Sequence, residues 1–275
     1  MSLIWSPSFN GVTDSDAAAW IDAVETADNA ELEHDVVVAV NKFVTNLKLD
    51  SLWHNIRGCG ILAGARTLNG ALTPLKGPAV TNNGFIAADY DRELGLQGTH
   101  SSTKYIDTNV DHIDEEGGNQ HMSVYTSNLQ ADGYGIMMGA DYYQFSGTPP
   151  TGPSAIDRSS SSYWTYRPGG AQYQPTNSPD GPGLFGWNCF GTNQGDHEHI
   201  ASSTLGGVGN PTLFGSTPVP KVSSTYYVFD GNNNTNAGSR YSGKISWWSF
   251  GSSLDLVKLD THVSTLFAEL AAAIP

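Results

Sequence analysis

The chain has 275 residues, of which only 15% are charged, while 31 are glycine and 14 are proline. This composition is typical of many short strands joined by tight turns, and 39% apolar residues are enough for a packed core. The formal net charge of −14 disfavours nucleic acid as a partner, because most of such a surface repels a phosphate backbone.

Cysteine usage and hydropathy exclude several further classes of protein. Cys59 and Cys189 are the only cysteines, and they are too few and too far apart for a disulfide framework or a zinc knuckle. No stretch reaches the length of a membrane span, and residues 1–7 lack the basic start and apolar run of a signal peptide. The sequence predicts a protein made in a cytoplasm, without membrane insertion and without a cofactor.

Residues 1–57 are predicted to form an N-terminal arm followed by a helical segment. Trp5 and Phe9 lie outside any periodic pattern, which indicates an arm that docks on its own domain or on a neighbouring molecule. Residues 13–46 place apolar side chains at helical spacing with charged residues off the stripe. These amphipathic helices need a surface to cover, either the same chain or a partner.

Residues 58–275 are predicted to form a mainly β domain, an antiparallel sandwich with a C-terminal helix packed on it. Eight short β-like runs lie between turn residues, as in a sandwich. The runs are residues 104–110, 121–125, 135–145, 163–166, 184–190, 199–204, 225–230 and 244–250. The polar residues 230–238 are interpreted as a hairpin loop, and residues 145–154 and 158–162 as surface loops. The glycine-punctuated residues 58–84 are interpreted as a loop-rich connection. Helical spacing returns after residue 252.

Three tracts carry a resemblance to a known family. They are Leu-Asp-Ser-Leu-Trp at 49–53, the strand-like residues 99–109 that lead to 121–128, and the Trp-Trp tract at 243–254. Together they resemble bacteriophage virion-associated proteins with a concanavalin-like or laminin-G-like jelly-roll domain. The resemblance starts at about residue 18 and carries no catalytic signature. Thr67-Leu68-Asn69-Gly70-Ala71-Leu72 departs from the family pattern, which expects an Asn-Leu-Lys-Asp-Pro run.

The resemblance implies a structural subunit of the virus particle, and not an enzyme. Such a subunit is a capsid decoration protein or part of a tail appendage such as a tail fibre, and its partners are other capsid or tail proteins. Homo-oligomerisation, with a trimer as the first expectation, follows from the family and from the prevalence of symmetric assembly. Synthesis in the host cytoplasm and release by lysis follow as well. The hypothesis includes contact with host-surface carbohydrate, and the alternative is a soluble lectin or an endoglycosidase on the same fold.

Aromatic residues in the middle of the chain are the candidate glycan-binding residues. Sugar rings bind by laying C–H faces on flat aromatic rings, while amide and carboxylate groups take the hydroxyls. The candidates are Tyr142, Tyr143, Trp164, Tyr166, Tyr173 and Trp187. Alternate aromatic residues of a sandwich also point into its core, so the sequence leaves both interpretations open.

Two segments suggest metal ligands. Asp230, Asn232 and Asn234 alternate oxygen-bearing side chains, which calcium accepts, although a single carboxylate supplies little charge and a hairpin turn explains the pattern equally. His197 and His199 lie on one side of a predicted strand, as two zinc ligands do, but the sequence offers no third ligand at a readable spacing.

The acidic pair Asp114 and Glu116 is the one candidate for glycan cleavage. Retaining hydrolysis needs two carboxylates about 5–5.5 Å apart, and residues two apart on a strand approach this spacing. Both acids stand beside the glycines at 117–118, which favours a solvated turn.

Overall fold

The protein is described by a computed structural model in which two antiparallel sheets pack as a sandwich and helices lie against one of them. The mainly β fold predicted from the sequence is therefore confirmed. The structure describes residues 12–99, 103–112, 119–128, 135–140, 154–160, 163–167, 181–190, 197–201, 224–231 and 241–275.

Three long helices form the first layer of the fold. The long helices are α1 at Ser15–Asp28, α2 at His34–Leu49 and α4 at Leu256–Ala273. A short helix, α3, lies at Leu68–Ala71. The helical segment predicted near the N-terminus consists of α1 and α2, and Asn29, in a left-handed conformation (φ 51°), ends α1. Asp14 caps α1 and Asp255 caps α4, each by accepting two backbone N–H groups of the first turn. No helix among these described residues is long and apolar enough to cross a membrane.

The seven-stranded sheet lies under the helices. Its strands are β1 (Ile56–Ile61), β3 (Tyr90–Asp91), β4 (Gly95–Gln97), β6 (Gln120–Asn128), β10 (Gly183–Cys189), β11 (His197–Ile200) and β13 (Lys244–Gly251). They run in the order β11-β10-β6-β13-β4-β3, and β1 pairs with the rest of β13. The central strand β13 thereby touches three others.

The six-stranded sheet forms the other half of the sandwich. Its strands are β2 (Thr81–Asn83), β5 (Tyr105–Asp111), β7 (Gly135–Ala140), β8 (Ser154–Ser160), β9 (Tyr163–Arg167) and β12 (Thr225–Val228). They run in the order β2-β5-β12-β7-β8-β9, with antiparallel pairing.

Two cores result from this layering, one between the sheets and one beneath the helices. Tyr226 of β12 and Phe250 of β13 stack across the interior of the sandwich, with ring centroids 4.2 Å apart. Trp247 points the other way and meets Phe43 of α2 edge-on at 5.3 Å. Adjacent residues of a strand face opposite sides, so the Trp247-Trp248 pair supplies one indole to each core.

The predicted hairpin between β12 and β13 is wrong, because the two strands belong to different sheets. The connection from Val228 to Lys244 therefore passes from one layer to the other. A polar, Asn-rich composition is expected both for a hairpin loop within one sheet and for a connection between two sheets. The sequence pattern therefore does not distinguish the two. The strand assignments at both ends of the connection are confirmed.

Two segments predicted to be loops are strands. The loop-rich connection predicted from residue 58 includes residues 58–61 of β1, where a side chain at Gly58 or Gly60 would overlap the rings of Phe250 and Trp248. Close packing of aromatic rings, and not turn formation, explains these glycines. In the predicted loop at 158–162, residues 158–160 belong to β8, whose residues 155–157 are buried, and residues 161–162 lie outside the described residues.

Asp28 fixes the turn that begins α3 to the end of α1. Its carboxylate accepts backbone N–H groups from Arg66 at 2.6 Å, Thr67 at 3.0 Å and Gly70 at 3.1 Å. Replacing Asp28 by alanine removes the acceptor for all three donors, and we expect a loss of about 1–3 kcal/mol in the free energy of unfolding. Urea titration measures this loss. Asp22→Ala, at an exposed position of α1, is the control, and equal losses for the two variants would show that the carboxylate of Asp28 does not stabilise the turn.

Candidate functional site

Strands β5 and β12 of the six-stranded sheet each have an inner and an outer face. Buried residues alternate with more exposed ones along both strands, as expected for one face packed on a core. The inner residues are Ile106, Thr108, Val110, Tyr226 and Val228. The outer residues, together with those of the neighbouring β2, form a surface that we call the tyrosine face. Its members are Thr81, Asn83, Tyr105, Asp107, Asn109, Asp111, Thr225 and Tyr227.

The register of the sheet brings two tyrosines of the tyrosine face together. Tyr227 pairs with Asp107, which places it diagonally opposite Tyr105 on the adjacent strand. The two phenol rings stack with centroids 4.3 Å apart and planes 23° from parallel. Both rings are partly exposed. The helices pack on the other sheet, so this pair lies on the opposite side of the molecule from them.

An irregularity in β5 fixes the polar groups beside the tyrosines. Between the pairs Tyr227–Asp107 and Thr225–Asp111 the register shifts, and Asn109 within this step has φ 56°. Asparagine tolerates this left-handed conformation better than most residues, and bulges recur beside functional sites. The Asn109 backbone N–H donates to the Asp107 carboxylate at 2.8 Å, and its amide donates to the Thr81 hydroxyl at 3.0 Å. The carboxylate and the amide are thus held in place.

The surroundings of Tyr227 keep its phenol protonated. Burial raises the pKa of Tyr227, and the neighbouring Tyr105 and the carboxylates of Asp107 and Asp230 raise it further. At neutral pH the Tyr227 hydroxyl is therefore a hydrogen-bond donor and not an activated nucleophile. A stacked aromatic surface bordered by fixed carboxylate and amide groups suits the C–H faces and hydroxyls of a sugar.

Of the six aromatic residues predicted from the sequence, the structure describes the side chain of Trp187. Trp187 is 1% exposed on the inner face of β10, so its ring belongs to the core and a sugar cannot stack on it. The backbones of Trp164 and Tyr166 form part of β9, but their side chains lie outside the described residues, as do Tyr142, Tyr143 and Tyr173 as a whole. The prediction for these five residues stays untested.

Tyr105 and Tyr227 were missed because both lie in runs that read as core strands. In β12, large aromatic side chains occupy adjacent positions, which suggests burial on both faces. The usable signal was in β5, where Tyr105, Asp107 and Asn109 alternate with apolar or small residues. That pattern predicts an aromatic and polar outer face.

The candidate metal ligands are only partly described. Asp230 is buried, and its carboxylate accepts the Gly231 N–H at 2.8 Å, whereas Asn232 and Asn234 lie outside the described residues. The calcium prediction therefore stays open. His199 is buried in β11, and burial lowers its pKa to about 4; the side chain of His197 is not described. Within the described ranges, no group of three or more His, Cys, Asp or Glu side chains is arranged to hold a metal ion.

The remaining sequence-based site predictions concern the hydrolytic pair and the assembly arm. Asp114 and Glu116, the candidate hydrolytic pair, and Trp5 and Phe9, the candidate assembly arm, all lie outside the described residues. They stay predictions.

A buried histidine and two buried serines have the residue types of a serine nucleophile with a histidine base. The His121 Nδ1 atom lies 2.7 Å from the Ser252 carbonyl oxygen, so Nδ1 carries the proton and Nε2 accepts from the Ser249 hydroxyl at 3.1 Å. Ser249 in turn lies 2.7 Å from the Ser123 hydroxyl. All of these side chains are buried between the seven-stranded sheet and the helices, where no substrate reaches them. They hold the turn that leads into α4.

Comparisons with known proteins give only distant likenesses. No protein-family model matches the sequence, and no curated protein matches it significantly. Among solved structures, a Trypanosoma rangeli sialidase mutant with trans-sialidase activity aligns with 86% of this chain and 39% of its own, at 9% identity and a TM-score of 0.45. A carbohydrate esterase from the Shiga toxin-encoding bacteriophage phi24B aligns with 72% of this chain and 99% of its own, at 10% identity and a TM-score of 0.38. The chain thus spans about two-fifths of the length of the sialidase.

The expectation that the chain is not an enzyme is contradicted by these findings and is withdrawn. The solved structures it is similar to are glycan-processing enzymes, including a GH54 α-L-arabinofuranosidase at 11% identity and a TM-score of 0.29, covering 65% of this chain and 41% of its own. At such identities and TM-scores, the substrates of those proteins are not assigned to this chain.

Proposed function

We propose that this chain recognises a glycan on the tyrosine face. The observation that carries the proposal is the stacked pair of Tyr105 and Tyr227, partly exposed on the sheet that faces away from the helices. The rings offer an apolar surface to the C–H face of a sugar, and the Asp107 carboxylate and the Asn109 amide border it with hydrogen-bonding groups.

The polar border favours a carbohydrate over an apolar protein partner. Covering Asp107 with an apolar surface would desolvate its carboxylate without supplying a new partner, which is costly. Sugar hydroxyls donate hydrogen bonds to carboxylates and accept them from the protonated phenol of Tyr227. A hydroxyl-rich ligand therefore satisfies every kind of group that the tyrosine face presents.

The place of this glycan recognition in biology is a further part of the proposal. The tracts at 49–53, 99–109 and 243–254 support a chain that belongs to a bacteriophage particle, as a decoration or appendage subunit that contacts other capsid or tail proteins and host-surface carbohydrate. Assembly as a homo-oligomer, a trimer in the simplest case, would multiply weak sugar contacts into strong attachment. Immunoelectron microscopy of virions with an antibody to this chain tests the placement, and virions free of label would contradict it.

Removing the tyrosine rings is expected to abolish most glycan binding. Tyr105→Ala and Tyr227→Ala should each weaken binding about tenfold or more, because about 50–100 Å² of apolar contact is worth roughly 1–2.5 kcal/mol. Tyr227→Phe keeps the ring and should lose much less. Oligosaccharide affinities are measured by isothermal titration calorimetry after a glycan-array screen, and thermal melting confirms that each variant is folded.

Phe190→Ala is the matched control, since it removes a ring that is 53% exposed at the end of β10 in the other sheet. The proposal predicts unchanged affinity for this variant. Equal affinities for wild type, Tyr105→Ala and Tyr227→Ala would overturn it, as would the absence of any glycan ligand.

Glycan cleavage is measured on the same samples as the release of new reducing ends. Cleavage that depends on Tyr105 and Tyr227 would place substrate binding on the tyrosine face. Cleavage that survives both alanine substitutions would contradict the proposed site.

A further inference from the structure

We infer that the tyrosine face selects uncharged glycans and discriminates against glycans that carry carboxylate or sulfate groups. The inference rests on the proposed function, since it names the class of sugar that the same site takes. It follows from the charges that surround the two stacked rings.

Among the described residues that define the tyrosine face, the charged side chains are carboxylates. Asp107 and Asp111 contribute carboxylates from β5, and the neutral residues Thr81 and Asn83 border them on β2. None of the side chains that define the tyrosine face is basic. Lys104, the basic residue directly before β5, pairs with Asp89 at 2.6 Å and is thereby held by another carboxylate.

The carboxylate nearest to the rings is fixed in position. Asp107 is in register with Tyr227, and its carboxylate accepts the Asn109 backbone N–H at 2.8 Å. It acts on the hydroxyl of Tyr227 electrostatically, since it contributes to the raised pKa of that phenol. A sugar stacked on the rings must therefore place its substituents close to this negative charge.

An acidic sugar and a neutral sugar interact differently with the Asp107 carboxylate. A hydroxyl donates a hydrogen bond to the carboxylate, whereas a uronate or sulfate is repelled by it and offers no proton. Repulsion between two unit charges about 4 Å apart in a water-like dielectric corresponds to roughly five- to tenfold in affinity. The Debye length falls from about 10 Å at 0.1 M salt to about 3 Å at 1 M, so salt should reduce this discrimination.

The test compares sugars that differ only in an acidic group. Lactose and its sulfate monoester form one pair, and oligogalactosides and oligogalacturonides of the same linkage form another. Each affinity is measured by calorimetry on the full chain at 50 mM and 1 M sodium chloride. The neutral member should bind about five- to tenfold more tightly at 50 mM salt, and the ratio should shrink at 1 M.

Two variants test whether Asp107 causes the difference in affinity between neutral and acidic sugars. Asp107→Asn should bring the affinities of the neutral and acidic members closer together, because the amide removes the charge and keeps the shape. Asp22→Asn changes the net charge equally at an exposed position of α1, and it should leave the ratio unchanged.

The outcomes separate this inference from the proposed function. Acidic sugars that bind as tightly as neutral ones, through Tyr105 and Tyr227, would overturn the inference and leave glycan recognition standing. A ratio that Asp107→Asn does not alter would also overturn it. If no sugar of either kind binds, the proposed function fails and the inference fails with it.

Discussion

Replacing Trp247 by alanine is expected to lower the free energy of unfolding by about 3–5 kcal/mol, the range for a large aromatic side chain removed from a core. Trp247 is fully buried between the seven-stranded sheet and the helices, where its ring meets Phe43 of α2. Its indole N–H also lies 3.4 Å from the Ser123 hydroxyl. The substitution leaves a cavity in the layer that attaches the helices to the sandwich.

Chemical denaturation followed by circular dichroism measures the loss for Trp247→Ala. Trp247→Phe should retain part of the stability because it keeps an aromatic ring in the same core. Val257→Ala, at an exposed position of α4, should change stability by less than about 0.5 kcal/mol. A loss below about 1 kcal/mol for Trp247→Ala would show that the helices do not depend on this contact.

Acidification from pH 6.5 to pH 4 is expected to remove about 3 kcal/mol of stability through His121 alone. Burial lowers the pKa of His121 to about 4, against an ordinary value near 6.5. The unfolded chain therefore takes up a proton on this ring before the folded chain does. The stability is complete above pH 6.5 and falls progressively until pH 4, where the folded ring also becomes charged.

The variant His121→Gln isolates this contribution. An amide can donate to the Ser252 carbonyl and accept from Ser249 without titrating, so the variant should show a flatter stability profile between pH 6.5 and pH 4. Some slope should persist, because burial also lowers the pKa of His199 to about 4. His34→Gln, at an exposed position of α2, should follow the wild-type profile. Identical profiles for wild type and His121→Gln would refute the explanation.

The sequence was sufficient to predict the layers of the fold because their signals are local. Helical spacing of apolar residues identified α1, α2 and α4, and short runs between turn residues identified most strands. The partner of a strand is not a local property. The runs that became β12 and β13 were recognised, but composition could not show that they belong to different sheets.

Local sequence patterns could not predict the tyrosine face, for the same reason. Tyr105 and Tyr227 are more than one hundred residues apart, and only the register between β5 and β12 brings their rings to 4.3 Å. The aromatic candidate Trp187 shows the opposite error, since it was singled out by type and is buried by the alternation of β10. An aromatic residue on a sandwich strand is assigned to the core or the surface by strand phase, which shifts by one at every bulge.

The most direct test of glycan recognition on the tyrosine face is a titration of the protein with the best-binding neutral oligosaccharide, followed by two-dimensional NMR. Ring signals of Tyr105 and Tyr227 are assigned with the single Tyr→Phe variants. The proposal predicts that the largest chemical-shift changes lie on these two rings and on the neighbouring residues of β2, β5 and β12. Changes confined to the helices or to the seven-stranded sheet, with both tyrosine signals unmoved at saturation, would contradict it.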